Sequence, residues 1–543
     1  MNFCHLTLLL AISSTLPVLA AGSTANTPAQ NPFLSAARYG ERHQNPVTPT
    51  RVPYPVPTGT YHVELPKFPR IVGGPGAYQQ LESTEPGYLW ITSTNGVAYA
   101  EMAGTRLGQV ASLPVPGQAV ISRETLEKVT AQPIASIEHA QTMAKELGVG
   151  GKRLDINAHA VVDNDNVLYA TAGNGFVHAY GLVDSRAPAA GIKVLRSLDL
   201  RKELERLSAS GKPGVTKGSV VRITALAMTY DGNLVIGTTR SVTVTARAFD
   251  GAFHTAEFDR GESVNGAVAV DPKGGIFVAT DSSMHKLVWT GKALSRAAAD
   301  GAWSSPYDVG REVASAKVGR GTGATPVLMG YGSDPDKLVV VTDGSDRMKL
   351  VAFWRDEVPA DFQQRPGTKS RRIAGQLEIG AGLEPKPEFI QTGQPVIVKG
   401  YGAFVVNGVH ASGEQDALVD TLVVGPVREP PVGVERAEWE PSKRAWRSVW
   451  TRGDVATTGM IPVVSTVSEV VLVHGYTKAD GWELTGLAWN TGKTVHRSLF
   501  GQDALGNGGH GLIQFLPNGD LLFNSIGGAI RVHFQAVIAR PKI

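Results

Sequence analysis

Cysteine is all but missing from this 543-residue chain: the one present, Cys4, lies in the apolar start. Past that start no intramolecular disulfide, cysteine-ligated zinc or thiol nucleophile is available. A surplus of one charge is missing too. Net charge is +3 with 19% charged residues, which argues against a general nucleic-acid binder, where a basic excess is the rule. No apolar run after the N-terminal stretch is long enough for a membrane-spanning helix, which takes roughly 20 residues. The chain also has no G-x-x-x-x-G-K-[ST] phosphate loop, no G-x-S-x-G nucleophile elbow and no C-x-x-C-H haem attachment.

What is there begins with "MNFCHLTLLLAISSTLPVLAAGS", an apolar core from Leu6 to Leu19 followed by small Ala20 and Ala21. This is the shape of a cleavable secretory signal over residues 1–21, and it implies an exported chain, periplasmic or secreted. The rival reading is a buried N-terminal helix. Residues 22–86 follow as a Pro-rich arm, with "NPVTPTRVPYPVPTGTYHVELPKFP" forbidding helix interiors and central strands. Tyr54, Tyr61 and Phe68 give the arm apolar handles, and part of it is expected to lie against the body at 87–543.

With 62 glycines, 33 prolines and 42% hydrophobic residues, the body reads as all-β. Two stretches break that rule. Leu126, Val129, Ile137, Ala140, Met143, Ala144 and Leu147 recur at helical spacing near 122–148, with Pro133 dividing the run. Leu200, Leu204 and Leu207 do the same near 199–210. Both are expected as helical insertions.

The strand pattern repeats. "SVNGAVAVDPKGGIFVATDSSMHKLVW" at Ser263 has counterparts beginning at Ile156, Arg222, Gly321, Ala456 and Gly508, with degraded copies near Gly87 and Gly400. Each has a strand, a turn rich in Asp, Asn and Gly, and further strands; Asp231–Gly232 and Asn518–Gly519 are strong hairpin signals. Units of three to four strands at roughly 40–50 residues predict a β-propeller, here of seven or eight blades, because stacked blades bury each other's faces and closure removes open edges. Two stacked β-sandwiches are the rival architecture.

At "VLYATAGNGFVHAYGL" and "WELTGLAWNTGKTVHRSL" the chain resembles quinoprotein-type (PQQ-like) propeller repeats, with Thr491–Gly492–Lys493 matching their T-G-K turn. The resemblance implies the fold and no single activity, since such propellers include dehydrogenases, lyases, lactonases and scaffolds. The paired cysteines and repeated tryptophans of quinoprotein alcohol dehydrogenases are missing here.

In a propeller, the loop leading into each innermost strand opens on the axial channel. By that rule the candidate polar groups are Asn157, His159, Arg222, Thr224, Asn265, Thr322, Thr325, Thr457, Thr458 and His510. His159 and His510 are the expected acid and base, because imidazole titrates near neutrality. Asn157, Arg222, Thr224, Asn265, Thr322, Thr325 and Thr458 are the expected substrate contacts. The glycines of "GRGTGATP" suit an anion-cradling nest or a tight turn. Asp163 and Asp165 have calcium-loop spacing without its Gly-then-Glu completion, so a hairpin turn is expected there and no metal site is assigned.

Three functions follow as expectations. The first is an enzyme, a lyase, isomerase or hydrolase, acting on a small organic molecule in the channel. The second is a non-catalytic scaffold binding envelope or secreted proteins on its rim. The third is a quinone-dependent dehydrogenase. These patterns do not specify a cofactor.

Overall fold

The computed structural model describes residues 27–35, 51–75, 79–148, 158–209, 221–259, 261–313, 319–414 and 416–537. The expected signal, residues 1–21, lies outside the described residues, and so does Asn157.

Eight sheets follow one another along the chain, each centred on one copy of the repeat. Blade 1 runs inside to outside as Gln79–Glu82, Tyr88–Ser93, Gly96–Glu101 and Gly108–Pro114. The innermost strands of blades 2 to 8 are Ala160–Val162, Ile223–Met228, Ala269–Val270, Val327–Met329, Ile397–Lys399, Val463–Ser465 and Ile513–Phe515. Neighbouring strands within each repeat are antiparallel, as in "NLVIGT" against "SVTVTA", where Leu234 faces Thr245 and Ile236 faces Thr243.

The strands read as nearly continuous apolar runs rather than alternating ones, because both faces of each blade are covered. Leu234 and Ile236 pack toward blade 2, while Val235 joins the core shared with blade 4. Every neighbouring pair of blades, blade 8 with blade 1 included, encloses its own apolar cluster. The chain is therefore a closed ring, an eight-bladed β-propeller. Fully buried side chains such as Trp482, Phe515 and Phe523 in the cluster between blades 7 and 8 each contribute about 1.5–3 kcal/mol.

Closure joins the two ends of the chain. The outer strand of blade 8 is Arg70–Val72, which pairs antiparallel with Gly528–Val532 near the C-terminus. The expected boundary between arm and body at residue 87 thus falls inside blade 1, whose innermost strand begins at Gln79; a short strand framed by Gly74 and Pro86 carries little signal of its own.

Antiparallel order places the turns at two opposite ends of the ring. First-to-second and third-to-fourth turns share the hairpin end. Second-to-third turns share the connector end with the links between blades. Helices α1 (Arg123–Thr130) and α2 (Ile137–Glu146) link blades 1 and 2, α3 (Arg201–Ala209) links blades 2 and 3, and α4 (Ala417–Val423) lies in the link inside blade 6. Three of them, α1, α2 and α4, cover part of the connector end. Leu126, Val129, Ala140, Met143, Leu418 and Leu422 form their common core on Ala504 and Ile526.

The arm covers the hairpin end. Asn31 Nδ2 donates to the carbonyls of Met228 and Thr229 at 3.0 and 3.2 Å, and Ser35 N–H donates to Val162 O at 3.0 Å. Arg51–Val52 then pairs parallel with Val464–Ser465, on the inner edge of blade 7. The chain crosses that blade, and Gly59–His62 pairs parallel with its outermost strand.

Candidate functional site

The connector end is where the candidate polar residues were expected to converge. Most of their hydroxyls are committed to the ring itself. Thr322 Oγ1 accepts from Ala324 N at 3.0 Å, and Thr325 Oγ1 accepts from Ala267 N of blade 4 at 3.2 Å. Thr457 donates to the carbonyl of Asn407 in blade 6. Thr458 Oγ1 donates to His474 Nδ1 at 2.7 Å. Thr224 is buried on the innermost strand of blade 3, and its hydroxyl has no hydrogen-bond partner among the described residues. Arg222 is exposed, and Asn265 is half-buried beside Gly319.

The two candidate histidines stand in different surroundings. His159 is half-buried before the first strand of blade 2, its carbonyl accepting from Thr171 N at 3.0 Å. His510 is exposed before the first strand of blade 8. Its Nε2 lies 3.2 Å from the Thr421 hydroxyl of α4, and its ring lies against Gly459, where a Cβ would come within 2.7 Å of Nδ1. Blade 1 stands between their two blades.

Carboxamides carry a role that the sequence reading missed. Gln79 Nε2 donates to Ala158 O across blades 1 and 2 at 2.7 Å. Gln514 Nε2 donates to Gln80 O across blades 8 and 1 at 3.0 Å, and Gln394 Nε2 to Gly459 O across blades 6 and 7 at 2.6 Å. Gln391 reaches back to the Asp343 carbonyl of blade 5 at 3.3 Å. These amides satisfy backbone carbonyls where sheets meet and no ladder continues. Their signal was a glutamine beside each of these innermost strands, in "YQQLE", "FIQTGQP" and "LIQFLP".

One acidic cluster was also missed. Burial alone would raise Glu262, yet the neighbouring His285 imidazole and hydrogen bonds from Ser282 and Thr280 more than offset it and hold the carboxyl at about 2. Ser282 Oγ donates to it at 2.5 Å, Thr280 Oγ1 at 3.1 Å, and His285 Nε2 lies 3.6 Å away. Burial raises nearby Asp281, although Ser263 N and Oγ both donate to it, at 2.9 and 3.3 Å. The glycines of "GRGTGATP" serve packing: a Cβ on Gly321 would lie 2.3 Å from Asp281 Cα and 2.6 Å from the Tyr307 hydroxyl.

Asp163 builds a hairpin turn. Its Oδ1 accepts from the backbone of Asp165 and Val167 at 3.0 and 2.9 Å, and Arg247 covers its other oxygen. Among the described residues no three His, Cys, Asp or Glu side chains gather as a metal site.

No known family model matches the chain. It is 29% identical over 333 residues to an uncharacterized protein of Archaeoglobus fulgidus, a match covering 59% of this chain and 62% of that protein's length. Among solved structures, the quinohemoprotein alcohol dehydrogenase of Comamonas testosteroni is similar with a TM-score of 0.44 and 11% identity, over 86% of this chain and 74% of that one. BamB of Moraxella catarrhalis gives a TM-score of 0.37 and 12% identity, over 67% and 92%. A streptogramin B lyase gives 0.34 and 8%, over 75% and 93%. The propeller architecture rests on the ring of sheets described above. No helix among the described residues is long and apolar enough to cross a membrane.

Proposed function

We propose that this chain is an exported propeller scaffold that binds other proteins through its loops. The observation that carries this reading is the commitment of connector-end groups to neighbouring blades: Thr325, Gln79, Gln394 and Gln514 all bond backbone across a blade boundary. Groups so engaged hold a ring together and have little left to offer a substrate. Five of the six exposed large apolar side chains among the described residues support the same reading, because Val120, Val427, Val183, Phe253 and Val467 stand on loops, with Leu195 on the outermost strand of blade 2. A paired substitution, Val120→Glu with Val427→Glu, is expected to remove a specific co-purifying protein while leaving the melting temperature within a few degrees. Recovery of the chain alone from native extract, before and after substitution, defeats the scaffold reading.

A second reading, a small-molecule lyase, isomerase or hydrolase using His510, draws support from the exposure of that imidazole beside the Thr421 hydroxyl. His159 would be its partner, with Arg222 and Asn265 as substrate contacts. His510→Ala is expected to abolish turnover at unchanged melting temperature if this reading holds; unchanged turnover rejects it. The quinone-dependent form of the enzyme reading adds one requirement, saturable binding of the added quinone cofactor.

A further inference from the structure

We propose that the hairpin end of the ring binds a small oxyanion, a carboxylate or a phosphate, beside Arg51 of the arm and Arg355 of blade 5. The arm carries Arg51 to the innermost edge of the ring, where it pairs beside Val464 and its Nε donates to Val398 O of blade 6 at 2.7 Å. Arg355 follows directly on the third strand of blade 5, Lys349–Trp354. It is 7% exposed, with Nη2 donating to Gly330 O at 2.8 Å. Tyr331 neighbours both: the Arg355 guanidinium sits 5.2 Å from its ring centroid, and the charges of both arginines act on its hydroxyl.

These two cations are bonded to carbonyls only. Among the described residues no carboxylate lies within ion-pair distance of either guanidinium. The neighbouring acids are already committed. Asp271 accepts from the backbone of Lys273 and Gly275 at 2.9 and 2.8 Å. Asp356 pairs with Lys286 at 2.9 Å. Asp334 accepts from Tyr331 N at 2.8 Å. Lys337 adds a third positive charge to the same turn, held by the Gly332 carbonyl at 2.9 Å. Asp271 and Asp356 act on Arg355 from beyond ion-pair distance, whereas burial disfavours the charged form of Arg51 and no carboxylate among the described residues offsets it, so the site gains from a counter-charge beside Arg51. An oxyanion answers both demands, since guanidinium donors match carboxylate and phosphate geometry.

The test is calorimetric titration of the full chain with inorganic phosphate and, separately, with succinate, at constant ionic strength set by chloride. Saturable binding of at least one is expected, together with a rise in melting temperature. Arg51→Gln is expected to weaken it by about 10- to 100-fold, the range for losing hydrogen bonds to a charged group. Arg355→Lys, made outside the arm, separates anion binding from arm docking and is expected to weaken binding as well. Lys478→Gln, a remote surface change, should match the parent. Preference for phosphate or succinate tells which source the site serves. Failure of both anions to bind, or binding undiminished in Arg51→Gln and Arg355→Lys, overturns the proposal.

Discussion

The two ends of the ring are covered by different means. At the connector end, three helices meet over Leu422, Met143 and Leu126, and apolar burial holds them down. At the hairpin end, an extended arm buries Val52, Val56, Val63 and Leu65 in the core of blades 7 and 8 and adds a set of polar ties: Asn31 to two carbonyls, Ser465 Oγ to Tyr54 O at 2.7 Å, and His496 Nδ1–H to Pro57 O at 2.6 Å. A helix satisfies its own backbone and can be held by side chains alone. A Pro-rich strand cannot, so it borrows donors and acceptors from the blades it crosses. The cap is therefore expected to respond chiefly to lost volume, and the arm to lost hydrogen bonds and to protons as well as to lost volume.

The largest effect should come from the cap's core. Leu422 is fully buried in α4 against α1 and α2. Leu422→Ala removes that volume and should cost about 2–5 kcal/mol, depending on how far the helices collapse into the gap. Urea unfolding measures it. A loss well under 1 kcal/mol would mean that the cap rests on the ring without adding to its cooperative core.

The legibility of these two ends in the sequence differed for the same physical reasons. α1, α2 and α3 stand where three-to-four spacing places them, and Pro133 separates α1 from α2. α4 was hidden because Val419, Val423 and Val424 are β-branched and look like strand, although Asp416 caps it by accepting from Leu418 N and Val419 N. All eight repeats surfaced, the degraded pair near Gly87 and Gly400 included, because turn glycines recur even where strand composition drifts. The candidate site was less legible. A threonine before a strand reads alike whether it faces substrate or a neighbouring carbonyl, and only the packed ring shows that Thr325 meets Ala267. Nor could spacing along the chain show that Arg51 of the arm would stand beside Val398 of blade 6.

Acid sharpens the comparison next, because each end has one buried imidazole donating to a carbonyl of the segment beside it. His496 Nδ1–H donates to Pro57 O of the arm, and His474 Nε2–H donates to Gly506 O at 2.9 Å. Burial lowers both to about 4. Unfolded histidine titrates near ~6.5, so between these values the unfolded chain takes up protons that the folded chain does not. The stabilisation is complete above about pH 6.5 and is lost as pH falls toward about 4, by up to about 3 kcal/mol for each histidine. His496→Asn should remove the arm's share of that acid sensitivity and leave the share of His474. Equal acid slopes in parent and variant would dissociate His496 from the acid response.

The smallest effect tests whether the cap also depends on a single hydrogen bond. Ser136 Oγ accepts from His139 N at 3.1 Å at the start of α2, and His139 Nδ1 accepts in return from Ala135 N at 3.2 Å, so two backbone donors are satisfied reciprocally. Ser136→Ala removes one acceptor and should cost about 0.5–2 kcal/mol, whereas Ser136→Asn, which keeps an acceptor at the cap, should cost almost nothing. Both are readable in urea unfolding at neutral pH, and neither should move hydrogen exchange in the arm at 51–62. If Ser136→Ala and Ser136→Asn are equally costly, the cap position is set by shape rather than by its oxygen. If exchange in the arm rises with either, the two covers are coupled through the ring and cannot be treated as separate devices.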